Sequence, residues 1–340
     1  MKIGLTFRDR GVSVAQHRDL LRTADGWGLD SIWVGESYGT DAVSPLAYVA
    51  AITENIGIGT AVLQMPGRTP ANVGMTAITL DHLSSGRLRL GLGMSGPQVV
   101  EGWHGVPYGK PLAKTREYVD VVRRVVARDE PVTYDGDHYQ VPYQGMDATG
   151  LGKPLKSMVR PLRDRVPIYL AAIGPRNLEL TGEIADGWLP IFYSPEKEAV
   201  LCESLDKGLQ KSGRALDDID IVANPPVAIG DDIDACRDRI RPSLALYIGG
   251  MGARDKNFYF DLACRYGYED EAERIQSLYL DGNRADSAAA VPDELVDEVA
   301  LVGPLERVIE RLSTWRDSRV STLCLDTYDP RTLEQLLEAI

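Results

Sequence analysis

Cysteine is scarce and scattered: Cys202, Cys236, Cys264 and Cys324 stand far apart, with no C-x-x-C pair. That spacing gives no disulfide framework, structural zinc site or thiol redox centre, and the four histidines do not cluster, so no metal is expected. No apolar run approaches the roughly 18 residues of a membrane-spanning helix. Basic charge is in deficit, with 37 Lys and Arg against 50 Asp and Glu and a net charge of −13, so a nucleic-acid partner lacks its basic stripe. The densest acidic cluster, Tyr268-Glu-Asp-Glu-Ala-Glu273, reads as a solvated helix start. Met1-Lys2-Ile3-Gly4-Leu5 runs straight into a strand pattern with no room for a signal peptide, and a cytoplasmic protein is expected.

What is present is a rhythm. Ser31-Ile-Trp-Val-Gly-Glu36, Ile56-Gly-Ile-Gly-Thr-Ala-Val62 and Arg87-Leu-Arg-Leu-Gly-Leu-Gly93 are short apolar or β-branched runs ending in a carboxylate or glycines, each flanked by helical patterns. Strands buried on both faces of a parallel sheet read this way. Periodicity gives eight βα units, with strands at 3–7, 31–36, 56–63, 87–93, 167–173, 187–193, 219–229 and 321–328. Tyr118, Val121, Val122, Val125 and Val126 form a helical stripe, as do Leu305, Val308, Ile309 and Leu312, and Leu333, Leu336, Leu337 and Ile340. Ser44-Pro45, Thr69-Pro70 and Asp329-Pro330 mark helix starts. At 340 residues with no break in composition, the expectation is a single (β/α)8 TIM barrel over 1–340. Two insertions interrupt it: 130–165, with a hairpin around Asp135-Gly136, and a helical one at 231–304 that contains Ala245-Leu-Tyr-Ile-Gly-Gly-Met-Gly252.

Gly91-Leu-Gly93-Met-Ser-Gly96 has the G-x-G-x-x-G form, but a dinucleotide fingerprint opens a helix at once and meets an acidic residue at the next strand end. Here a loop is expected from Pro97 through Tyr108, with the next helix near Pro111. Glycines at the strand end instead let a flat ring lie against bare backbone. Ala171-Ala-Ile-Gly174-Pro-Arg-Asn177 runs from a strand through glycine into a helix, which directs free N–H groups and the positive helix end at an anion, with Arg176 as an added charge.

These stretches, with Leu80-Asp-His-Leu-Ser-Ser-Gly-Arg87, Pro97-Gln-Val-Val-Glu-Gly-Trp-His-Gly-Val-Pro-Tyr108, Ile168-Tyr-Leu-Ala-Ala172 and Ala185-Asp-Gly-Trp188, resemble the bacterial luciferase-like superfamily. Within it they resemble the deazaflavin-dependent oxidoreductases that use coenzyme F420. The resemblance implies a cofactor at the C-terminal strand ends, its ring resting on a third-strand bulge that holds a non-prolyl cis peptide, here Ala61-Val62. Residues implied around it are Glu36, Ser37, Thr60, Ala61, Val62, Gly93, Ser95 and Ala172, with the phosphate near Gly174, Pro175 and Arg176. A homodimer is also implied.

Proton donors are sought at strand ends, and Glu36, His104 and Tyr193 are the catalytic candidates, with Ser37, Tyr38 and Asn224 nearby. His82 reads as structural, and His17 and His138 lack supporting partners. Trp103, Tyr108, Asn224, Tyr247, Phe258 and Tyr259 are candidates for the substrate wall. The superfamily's sugar-phosphate dehydrogenases carry a histidine after the second-strand carboxylate and a glutamate in the fourth-strand loop; this chain has Ser37 and Gly96 or Pro97. The departure favours reduction of a C=C, C=N or C=O bond in a small organic or natural-product substrate. An FMN-dependent monooxygenase and a non-catalytic barrel are the alternatives.

Overall fold

The computed structural model describes residues 1–7 and 11–339, which leaves Ile340 of the last helical stripe outside. Eight parallel strands in βα succession give the (β/α)8 barrel fold: Lys2–Phe7, Ser31–Val34, Gly57–Thr60, Leu88–Gly93, Ile168–Ala171, Gly187–Leu189, Asp220–Ala223 and Thr322–Leu325. The chain falls into two compact units, one of residues 7–170 and 184–186, the other of residues 1–6, 171–183 and 187–340.

In the first unit Ser31 pairs with Gly57 and Val34 with Thr60, Ile58 with Leu88, and Leu90 with Ile168, all parallel. The third strand is not continuous over 56–63. It stops at Thr60 and resumes as Leu63–Gln64, which pairs with Leu92 and Gly93. Trp33 explains the glycine opposite it, because a Cβ on Gly59 would lie 2.3 Å from the indole. The indole also donates to Ser31 Oγ at 2.9 Å and meets Tyr169 edge-on at 5.1 Å. The helix Pro111–Ala127 buries Tyr118, Val121, Val122, Val125 and Val126, the stripe its periodicity marked. Thr69 caps the helix Pro70–Leu83 by accepting the Asn72 N–H. The second helix begins at Val43, ahead of Ser44-Pro45, with Asp41 accepting the Ser44 N–H at 2.8 Å.

One expectation fails here. Pro97 opens a helix at once, Pro97–Gly102, with Pro at the first position where its missing N–H costs nothing. The dinucleotide reading still lacks its acid partner, because the next barrel strand ends only at Ala171. Past the helix Pro111–Ala127, Tyr134–Asp135 and Gln140–Val141 pair antiparallel. The Glu117 carboxylate fixes their turn by accepting the N–H groups of Asp137, His138 and Tyr139.

In the second unit Lys2 pairs with Thr322, Val222 with Thr322, and Asp220 with Gly187, all parallel. The expected strand 219–229 is two strands. Pro225 and Pro226 end the barrel strand, and Val227–Ile229 pairs separately with Leu301–Gly303. Between them run the helices Ile233–Ala245, Phe258–Arg265, Glu269–Leu280, Arg284–Ala289 and Asp293–Val299, with a π-helical turn at Leu246–Gly250. The acidic cluster is the first turn of Glu269–Leu280, where carboxylates suit the positive helix end. Asp329 caps the last helix, Pro330–Glu338, through the Thr332 N–H.

Candidate active site

Within the first unit the strand ends converge on the gap between Thr60 and Leu63. The Ala61–Val62 peptide is cis and non-prolyl, at the position the resemblance marked. Its flanks are pinned from the second strand: the Ala61 N–H donates to the Val34 carbonyl at 2.7 Å, and the Glu36 N–H donates to the Val62 carbonyl at 3.3 Å. Ala61 and Val62 are both half-buried. Thr60 is fully buried, its hydroxyl donating to the Gly91 carbonyl at 2.7 Å and accepting the Gly91 N–H at 2.8 Å, so it ties two strands together.

Glu36 follows the second strand directly. One carboxylate oxygen pairs with Arg68 at 2.5 Å and the other accepts the Ala42 N–H at 3.4 Å. The side chains are only 10% and 20% exposed, so the pair is largely withdrawn from water. The Arg68 carbonyl in turn accepts the Tyr118 hydroxyl at 2.9 Å, and burial holds that phenol far above its ordinary range. Gln64, buried on the resumed strand, donates to the Glu36 carbonyl at 3.1 Å and lies 2.6 Å from His104 Nε2 through its Oε1. Glu36 and His104 are therefore brought together through Gln64. Neither Gln64 nor Arg68 stood out in the sequence; the only signal was their position just past a strand that ends in small residues.

The short helix Pro97–Gly102 delivers Trp103 and His104, whose N–H groups both bond to the Val99 carbonyl. Trp103 is exposed and meets the exposed Tyr38 ring at 6.3 Å. Ser37 and Ser95 are half-buried and Gly93 is buried, with Ser95 in the left-handed region at φ 61°. Tyr108 is buried; its N–H donates to Glu101, and burial pushes its phenol up.

In the second unit Gly174 opens the helix Pro175–Ile184 and has open space where a Cβ would sit. Its carbonyl accepts the Asn177 and Leu178 N–H groups. Pro175 and Arg176 are exposed, and among the described residues Arg176 pairs with no carboxylate. Arg265, unmarked in the sequence, donates to the Ile173 carbonyl at 3.3 Å, next to this turn. Ala172 is buried and its carbonyl accepts the Trp188 indole N–H.

Tyr193 lies in the second unit, past the strand Gly187–Leu189. It is 2% exposed, packed between Trp188 and Trp315, and its hydroxyl donates to Glu198 at 2.6 Å. Burial first, then Cys202 and Glu198, push the phenol far up. Its neighbour Phe192 turns the other way: at φ 50°, held by a Tyr266 hydroxyl on its carbonyl, its ring meets Tyr247 at 5.3 Å and Tyr259 at 6.1 Å. Tyr247 and Tyr259 meet each other at 4.7 Å, while Phe258 is 38% exposed and Asn224 is half-buried.

The luciferase-like monooxygenase family model matches residues 3–322. The chain is 45% identical over 326 residues to a Mycobacterium tuberculosis protein named as a coenzyme F420-dependent oxidoreductase, covering 95% of this chain and 94% of that one. It is 28% identical over 300 residues to the 5,10-methylenetetrahydromethanopterin reductase of Archaeoglobus fulgidus, covering 86% and 83%. Its fold matches the coenzyme F420-dependent tetrahydromethanopterin reductase of Methanopyrus kandleri with a TM-score of 0.79 at 21% identity, over 99% of this chain and 96% of that one.

Proposed function

Since the chain belongs to the luciferase-like monooxygenase family, we propose that it is an F420-dependent oxidoreductase acting as a reductase on an activated C=C, C=N or C=O bond of a small organic or natural-product molecule. The cofactor part of this reading is supported by the 45% identical relative. The observation that carries the site is the half-buried polar chain Arg68–Glu36–Gln64–His104, drawn around a strand interruption whose side chains carry no charge.

The residues present fit such a group. In the first unit Ala61 and Val62 put no charge and little bulk where a flat ring would rest; in the second, taken by itself, the open turn at Gly174, with Arg176 paired to no carboxylate among the described residues, fits a phosphate. A deazaflavin, when bound, supplies a hydride while reacting poorly with oxygen. The protein's share is then to bind, orient and manage a proton. Arg68 occupies the Glu36 carboxylate, so Glu36 orients the bulge and His104 remains the group suited to carry a proton. Trp103, Tyr108, Tyr247 and Phe258 stay proposed as substrate contacts.

A side-by-side fluorescence titration with coenzyme F420 and with FMN tests the reading. Selective F420 binding, weakened by Arg176→Ala, is expected. Selective FMN binding would move the protein to an oxygen-using reaction, and binding of neither would make it a non-catalytic barrel.

A further inference from the structure

The amide of Gln64 cannot be turned over. Its Nε2 faces the Glu36 main-chain carbonyl at 3.1 Å, and a flipped amide would set two acceptor oxygens against each other. Oε1 must therefore face His104 Nε2 at 2.6 Å, and an amide oxygen only accepts, so the proton of that bond belongs to His104 Nε2. The other ring nitrogen, Nδ1, has no hydrogen-bond partner among the described residues. The Cε1–Nδ1 edge of the ring lies beside Gly67, where a Cβ would be 3.0 Å from Cε1 and 3.4 Å from Nδ1. Gly67 is at an ordinary backbone conformation, so the space beside the ring edge is what its missing side chain provides.

We propose that Gln64 is a positioning residue that locks neutral His104 as the Nε2–H tautomer, and that Nδ1 is the atom that exchanges the proton with the substrate heteroatom. This rests on the oxidoreductase reading above. In the reducing direction the imidazolium breaks its Nδ1–H bond and the substrate oxygen, nitrogen or adjacent carbanionic carbon gains that proton. The ring keeps Nε2–H on Gln64 throughout and returns to the neutral form. In the oxidising direction the bare Nδ1 takes the proton back. The hydride and its electron pair are the cofactor's part and do not pass through His104. Because Gln64 also holds the Glu36 carbonyl, the proton carrier and the bulge are placed by a single side chain.

The test is long-range nitrogen–proton NMR of the histidine rings in the full 15N-labelled chain, with His104 assigned by the resonance lost in His104→Asn. The neutral ring is expected to show a protonated Nε2 and a bare Nδ1. Gln64→Leu should relax the ring from a single tautomer to a mixture in which Nε2–H is only the intrinsic majority, and lower kcat about tenfold, against about a hundredfold for His104→Asn. Gln64→Glu, which keeps an acceptor on Nε2, should preserve the tautomer. Gly67→Ala, whose Gln64 is intact, should retain the Nε2–H signature while slowing turnover. A wild-type ring protonated on Nδ1, or a Gln64→Leu protein with an unchanged tautomer or unchanged kcat, overturns the proposal. The wild-type spectrum needs no cofactor to bind, and only the assignment variant His104→Asn has to fold, so failure of the cofactor reading appears in the titration and failure of this one in the spectrum.

Discussion

Removing Arg68 beyond Cβ isolates the Glu36 carboxylate, which then retains only the 3.4 Å bond from the Ala42 N–H. Breaking a fully buried ion pair costs about 3–5 kcal/mol, and exposed pairs contribute about 0–1 kcal/mol. With its members 10% and 20% exposed, this pair lies between those limits, and Arg68→Ala should cost about 2 kcal/mol of stability. Glu36→Gln should cost less, because the amide still accepts from a guanidinium that reaches water. The double variant should be less damaged than the sum of the two, with a coupling of about 1–2 kcal/mol. Urea denaturation of the four proteins measures the cycle. Cofactor titration of the same four proteins then asks whether the coupling reappears in affinity, as it must if the pair orients the bulge. The Tyr118 hydroxyl bonds to the Arg68 main chain, so side-chain truncation leaves that contact in place and does not contaminate the cycle. A coupling below about 0.5 kcal/mol would refute the assignment of the pair as a structural hold on the site.

Thr60→Val keeps the shape but removes both hydroxyl bonds to Gly91 in a fully buried setting, and chemical denaturation should show a loss of about 2 kcal/mol, with Thr60→Ser milder. Tyr193→Phe should lower stability by about 1 kcal/mol through the lost Glu198 bond while leaving kcat at the wild-type level; a large fall in kcat would restore Tyr193 to the chemistry. Burial acts to raise the Asp25 pKa, but the N–H groups of Glu54, Ile56 and Asn55 and the charge of Arg87 outweigh it and leave the group below the ordinary carboxylate value. The stability from Asp25 is therefore present above that ordinary value and lost as pH falls through the lower folded one, so the penalty of Asp25→Asn in urea unfolding should shrink from pH 7 to pH 3.

Elements buried on both faces were legible because parallel strands carry unbroken apolar runs, and Ile32, Ile58, Leu90 and Leu323 are all inside. The errors fall where something other than apolarity decides. Pro225 and Pro226 cut a strand whose hydrophobic pattern continues past them, since proline cannot donate to a ladder. The helix at Pro97 is six residues long, too short for any periodicity to register. Tyr193 was named only for its place past a strand end, which does not say which way its side chain turns. The left-handed backbone at Phe192, just before it, is likewise not visible to pattern reading.

Gln64 shows why the site was only half legible. Its two acceptor and donor contacts are made to residues 28 and 40 positions away, so no local spacing connects them. What placed it there is the interruption of the third strand. The ladder resumes at Leu63 with Leu92 as partner, and Gln64, opposite Gly93, is then inside while its amide reaches both the Glu36 carbonyl and the His104 ring. Had the strand run on unbroken from Thr60, strict alternation would put Gln64 and Thr60 on one face and Leu63 on the other. Thr60, Leu63 and Gln64 are all buried, as befits strands covered on both faces. A polar residue two places past a run of small side chains is the signal that was available. It asks for partners on both amide atoms, because a buried carboxamide left half-satisfied costs about 1–3 kcal/mol, and the strand-end candidates Glu36 and His104 were the groups that could answer it.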